Sequence, residues 1–117
     1  PIDLFIKQRY SIYIMKTIKD LKSKTAVKNA IYNLVNPITS GFFHDSYWSP
    51  VHQTWKALEF NGMEISIDKS YYTDLTSKTW HFTATINNFK FDGRLIASFC
   101  GPSNDPTATY DLCFILH

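Results

Sequence analysis

His81, Thr83 and Thr85 alternate along one run of the chain, and Lys90, Asp92 and Arg94 alternate along the next, within TWHFTATINNFKFDGRLIASFC at 79–100. A period of two puts each trio on one face of a pleated strand. Trp80, Phe82, Ala84, Phe91, Leu95 and Phe99 occupy the intervening positions, so the other face is apolar. An imidazole beside a guanidinium and an ammonium, with hydroxyls nearby and no carboxylate cluster, suits a phosphate-centred reaction without a metal. Histidine can take a proton near neutral pH. Arginine and lysine can hold a phosphate and stabilise the charge of a pentavalent transition state, and a threonine hydroxyl can add a hydrogen bond to it. RNA carries its own nucleophile, the 2′-hydroxyl. His81, Arg94, Lys90 and Thr83 are therefore a candidate catalytic set for RNA cleavage that calls for no cofactor, with Thr85 beside them as a binding group.

The same residues also fit a plainer role. Thr, Lys, Asp and Arg are the usual water-facing residues of an antiparallel sheet, and pairing of Asp92 with Thr83 or Lys90 accounts for them without catalysis. Among the other histidines, His44 is the next catalytic candidate because Asp45 follows it, although adjacent residues rarely face one another. His52 reads as incidental, and His117 as a binding candidate at the end of the last strand. A metal site is not expected. The seven residues between His44 and His52 include a proline, and two cysteines without CxxC spacing cannot form a tetrahedral zinc site unaided. The chain contains no GxSxG, HExxH, P-loop or dinucleotide-binding glycine pattern.

The register of the strand pair decides which side chains meet. Turns at Asn87-Asn88 and Asp92-Gly93 compete. The Asp-Gly turn mixes Phe89 and Phe91 with Thr85 on one face. The Asn-Asn turn sets Ile86 against Phe89, Ala84 against Phe91, Phe82 against Gly93 and Trp80 against Leu95, which sorts the faces cleanly. A one-residue slip would invert every side chain, so the sorting selects Asn-Asn. His81 then faces Arg94, Thr83 faces Asp92 and Thr85 faces Lys90, with Cβ atoms about 5 Å apart. Gly93 falls inside the strand, at a bulge or beneath Phe82. If GPSNDP is the whole next loop, Leu112 faces Leu95, Cys113 faces Arg94, His117 falls beside Lys90, and Cys100 lies opposite Thr107. The two cysteines are then too far apart to pair.

These strands need elements to hold them. Residues 3–22 place Leu4, Phe5, Ile12, Met15, Ile18 and Leu21 at largely helical intervals. Thr25 is placed to cap a second helix, AVKNAIYNLV, ended by Asn36-Pro37. Residues 36–53 lack a clear period and read as an aromatic loop, in which Phe42, Phe43, Tyr47 and Trp48 could anchor a partner, or as a partly helical segment packed over the core. WKALEF-NG-MEISID reads as a hairpin with Asn61-Gly62 in a type I′ turn, setting Phe60, Leu58 and Lys56 beside Met63, Ile65 and Ile67. Residues 69–78 read as a loop or crossover. The expected fold is α+β. Two N-terminal helices (1–35) lie on one face of a twisted antiparallel sheet of four to five strands (54–117), in a single domain spanning 1–117.

Composition narrows the class further. At 117 residues the chain can bury roughly two-thirds of its unfolded surface. Its net charge of +2 is too small for nucleic-acid binding by charge alone, yet it is unevenly spread: residues 1–35 carry +5 and residues 36–117 carry −3. No apolar run approaches the ~18 residues of a membrane span, so a soluble domain is expected. A chain that opens on Pro1 without a charged-then-apolar leader reads as a piece of something longer.

In element order across 3–117, and in the His81, Lys90 and Arg94 set, the chain resembles the barnase/EndoU/colicin/RelE-type ribonucleases. That group includes the C-terminal toxin domains of bacterial contact-dependent inhibition proteins. The resemblance is one of architecture, without a shared sequence motif, and small α+β folds host many functions. It implies a metal-independent hydrolase acting on RNA in the cytoplasm of a competitor, with His81 as general base or acid, Arg94 and Lys90 on phosphate, and Thr83 or Tyr110 assisting. It also implies a tight acidic immunity partner. The rival readings are a non-catalytic module that binds protein or carbohydrate through the aromatic loop at 42–48, and an immunity or adaptor protein.

Overall fold

The computed structural model describes residues 18–42, 48–102 and 105–117. Five strands form one antiparallel sheet: β1 (Ser40–Phe42), β2 (Glu64–Asp74), β3 (Ser77–Ile86), β4 (Phe89–Cys100) and β5 (Thr109–Leu116), in the order β1-β5-β4-β3-β2. Two helices, α1 (Lys24–Val35) and α2 (Ser49–Phe60), lie on one face of it. The result is α+β, as expected. Of the first expected helix, residues 18–20 are helical, Leu21 and Lys22 are not, and residues 3–17 lie outside the described residues. No helix among the described residues is long and apolar enough to cross a membrane.

The centre of the sheet forms in the expected register. Asn87 and Asn88 both take positive φ, 54° and 67°, as a type I′ turn requires and as Asn tolerates better than most residues. Ile86 pairs Phe89, Phe82 pairs Gly93 and His81 pairs Arg94. Gly93 is required sterically. A Cβ there would stand 2.6 Å from Cζ of Phe82 and 2.7 Å from the backbone oxygen of Ile115. The Phe82 ring thus lies over a glycine floor, with the Trp55 and Phe114 rings at 5.2 and 5.4 Å.

α1 buries Val27, Ile31 and Val35, an i, i+4, i+8 stripe. Its N-cap is Ser23, whose hydroxyl accepts from the Ala26 N–H at 3.4 Å, rather than Thr25. Asn36 does not leave the helical region before Pro37. The chain tightens into a 3-10 turn over Asn36–Ile38, where the missing proline N–H is tolerated.

Expectations at the flanks are overturned. The segment from Trp55 to Phe60 is the end of α2, not a strand. Val51, Thr54 and Leu58 recur at helical spacing and are buried, whereas Phe60 is 71% exposed. Asn61-Gly62 is the exit of that helix. Gly62 has φ +89°, its N–H reaches the Glu59 oxygen (3.0 Å), and the Met63 N–H reaches the Leu58 oxygen (3.1 Å), the two bonds of a Schellman motif. The β2–β5 meander therefore starts at Glu64. The stretch 36–53 follows the second of its two readings, a partly helical segment packed on the core: its described residues contain the 3-10 turn, β1 and the first turn of α2.

Residues 69–78 are not a loop or crossover either. β2 continues through them and turns tightly at Leu75–Thr76 into β3, with Asp74 accepting from both the backbone N–H (2.8 Å) and hydroxyl (3.1 Å) of Thr76. Those bonds also hold the Asp74 carboxyl below its ordinary pKa. An irregularity between Ile67 and Lys69 resets the alternation of β2. The β4–β5 register differs from expectation by two residues, because the connection reaches 108 rather than ending at the proline: Leu95 faces Phe114, Arg94 faces Ile115, and Cys100 faces Thr109. An even shift leaves every residue on its expected face. Both cysteines are free thiols, exposed at separate positions of the sheet.

Candidate functional site

The helices cover the apolar side of the sheet, and among the described residues no element lies over the other side. On the open side three cross-strand rows meet. In the first, β5 to β2, Arg94 follows Ile115, His81 follows Arg94, and Lys69 follows His81. In the second, Thr83 stands between Asp92 and Ser66. In the third, Thr79 stands between Ile96 and Tyr71.

His81 is the centre of the first row. Its Nε2 is 3.0 Å from the Tyr71 hydroxyl, and the two rings stack with centroids 5.6 Å apart. Partial burial first, then the charges of Lys69 and Arg94, push its pKa below the ordinary 6.5, while Asp68 acts weakly the other way. The shift favours the neutral imidazole. Neutral imidazole carries one proton and one lone pair. When Nε2–H donates to the tyrosine oxygen, Nδ1 is left as a free base. When the tyrosine donates to Nε2, Nδ1 holds the proton instead.

Arg94 contributes a fixed cation. Its Nε is shut off from solvent and has no hydrogen-bond partner among the described residues. A buried N–H donor without an acceptor costs about 1–3 kcal/mol.

Several sequence candidates are placed elsewhere or are already engaged. Thr83 is not free to assist, because its hydroxyl lies 3.2 Å from Asp68 Oδ2 and 3.3 Å from Asp92 Oδ1. Lys90 does face Thr85 as expected, but it sits four residues from Arg94 on β4. At ~3.3 Å per residue that is about 13 Å, so Lys90 and Thr85 lie at the rim. His117 is not beside Lys90. Its N–H donates to the Asp92 oxygen at 2.7 Å, and its charge is felt at His81. Tyr110 is on the helix side of the sheet, next to Gly41, where burial raises its hydroxyl pKa. Trp48 is also on that side, edge-on to Trp80 and Phe99 at 5.6 and 5.0 Å. It is therefore part of the core wall and not a projecting anchor. His44 and Tyr47 lie outside the described residues.

Sequence reasoning missed Lys69, Tyr71 and Asp68, all on β2. The β-prone pair Tyr71-Tyr72 ahead of the turn-forming Asp74-Leu75-Thr76-Ser77 is the signal that could have found them. No group of three or more His, Cys, Asp or Glu that could hold a metal exists among the described residues. Comparison with protein-family models, curated proteins and solved structures returned no match.

Proposed function

We propose that the open sheet face is the active site of a metal-independent endoribonuclease. The observation that carries this reading is the His81 imidazole, hydrogen-bonded to Tyr71 at 3.0 Å and set across the strands between Lys69 and Arg94. Nδ1 of His81 takes the 2′-hydroxyl proton, with Nε2–H donating to Tyr71. The 2′-oxygen bonds to phosphorus and the bond from phosphorus to the 5′-oxygen breaks. The leaving oxygen receives a proton from His117, which stands across from Asp92 in the row next to Arg94. Arg94 and Lys69 balance the charge on the equatorial oxygens. Lys69 thus takes the phosphate-binding role first read for Lys90.

Charge restricts the approach. Asp68 and Asp92 occupy one side of the His81 row and repel a polyanion, so the strand of RNA enters over Tyr71, Ile96 and Cys113. A protein inhibitor that presents carboxylates to Arg94 and Lys69 is the partner this reading implies.

The test is incubation of the domain with total RNA in excess chelator, beside His81→Ala. Loss of a positioned acid–base group should slow cleavage by about 10²–10⁴-fold. Absence of cleavage by the unmodified domain at micromolar concentration overturns the proposal, as does equal cleavage by both proteins.

A further inference from the structure

On the helix side of the sheet, away from His81, three aromatic rings surround one ammonium group. Nζ of Lys78 stands 5.0 Å from the centroid of Tyr72, 5.2 Å from Trp80 and 5.6 Å from Trp48. The local architecture explains how they meet. Tyr72 and Lys78 are directly opposed on β2 and β3, and Trp80 is the next same-face residue along β3. Trp48 closes the third side from the entrance to α2, 6.3 Å from Tyr72 and 5.6 Å from Trp80. Its packing against Phe99 at 5.0 Å and 89° holds that wall in place.

The chemistry of this cluster is that of a cation receptor. Ring faces are negative and attract a cation within ~6 Å. Among the described residues Lys78 makes no ion pair with a carboxylate, so the rings are what its charge meets. A primary ammonium is a poor match for such a cage, because it is strongly hydrated and carries a flexible four-carbon stem that must be ordered. A quaternary ammonium is weakly hydrated and presents methyl groups to all three rings. Tyr72, 60% exposed, forms the solvent edge of the cage.

We propose that Trp48, Tyr72 and Trp80 form a binding site for a quaternary ammonium group, with the Lys78 ammonium as the intramolecular occupant that such a ligand displaces. The inference is independent of ribonuclease activity.

Choline is the probe, titrated into the domain while the tryptophan indole N–H resonances are followed, with uncharged 3,3-dimethylbutan-1-ol as a control of equal shape. Choline should shift the Trp48 and Trp80 signals saturably and leave Trp55, packed on Phe82, unmoved. Removing the occupant by Lys78→Gln should tighten choline binding on the order of tenfold, and the uncharged control should bind weaker than choline by a similar factor. Tyr72→Ala, at an exposed position, should weaken choline without unfolding the protein, which keeps the test decisive if Lys78→Gln does not fold. Lack of a saturable shift with choline overturns the proposal, and so does equal affinity for choline and its uncharged analogue.

Discussion

The two faces of the β3–β4 pair are built from alternate residues of the same ten-rung ladder, yet they are organised by different physics. On the helix side, Phe82 is held by shape: a glycine beneath it, Trp55 and Phe114 against it, and about 1% of its surface exposed. On the open side, His81 is held by charge and hydrogen bonding, between Arg94 and Lys69 and against the Tyr71 hydroxyl. Contacts of shape contribute stability through buried area and tolerate almost no change in volume. Contacts of charge near water contribute little stability but set protonation states. Neighbouring residues of one strand can therefore be substituted with nearly separate consequences.

The largest expected effect tests the shape side. Phe82→Ala should cost about 3–5 kcal/mol in chemical denaturation. Gly93→Ala attacks the same contact from below. It should cost about 1–3 kcal/mol by overpacking, because the Ile115 backbone oxygen cannot yield as a side-chain tip would. A stable Gly93→Ala protein would mean that the Phe82 ring has room to move, and the contrast between the faces would blur.

The smallest effect tests the charge side. The pKa of His81 is depressed in the folded protein, so the unfolded chain takes up its proton first as pH falls. Stability linked to this group is complete above pH 6.5 and is lost as pH drops through the folded-state pKa. His81→Gln should flatten that acidic slope while leaving the denaturation midpoint at pH 8 close to that of the parent. An unchanged slope in His81→Gln would mean that other groups carry it. In cleavage assays the acidic limb of the rate profile should likewise fall below pH 6.5, where the base is lost.

The part of this arrangement that could be read from sequence is the part governed by local rules. The β3–β4 register follows from one two-residue turn and strict alternation, so the His81–Arg94 pairing was legible. β2 was not, because an irregularity near Asp68 breaks its period and its later residues are exposed on both faces. That concealed Lys69 and Tyr71, half of the candidate site. Asn61-Gly62 misled for another reason. A positive-φ glycine serves the end of a helix as well as a hairpin, and only the Val51–Thr54–Leu58 spacing separates the two. The two-residue error in β4–β5 came from loop length, which residue type hardly constrains, although an even error left the faces intact.

The position of β1 has a consequence for the order of folding. Every other strand pairs with its neighbour in sequence, but Ser40 pairs with Asp111 and Phe42 with Thr109. Closing so long a segment carries an entropic cost that a two-residue hairpin avoids, and only three residues of β1 are available to offset it. We therefore expect the meander from β2 to β5 to assemble first, with β1 docking last and opening first. Amide exchange would show this directly, with Gly41 and Phe42 exchanging well before Ala84 and Phe91. Equal protection of both groups would instead make the five strands a single cooperative unit.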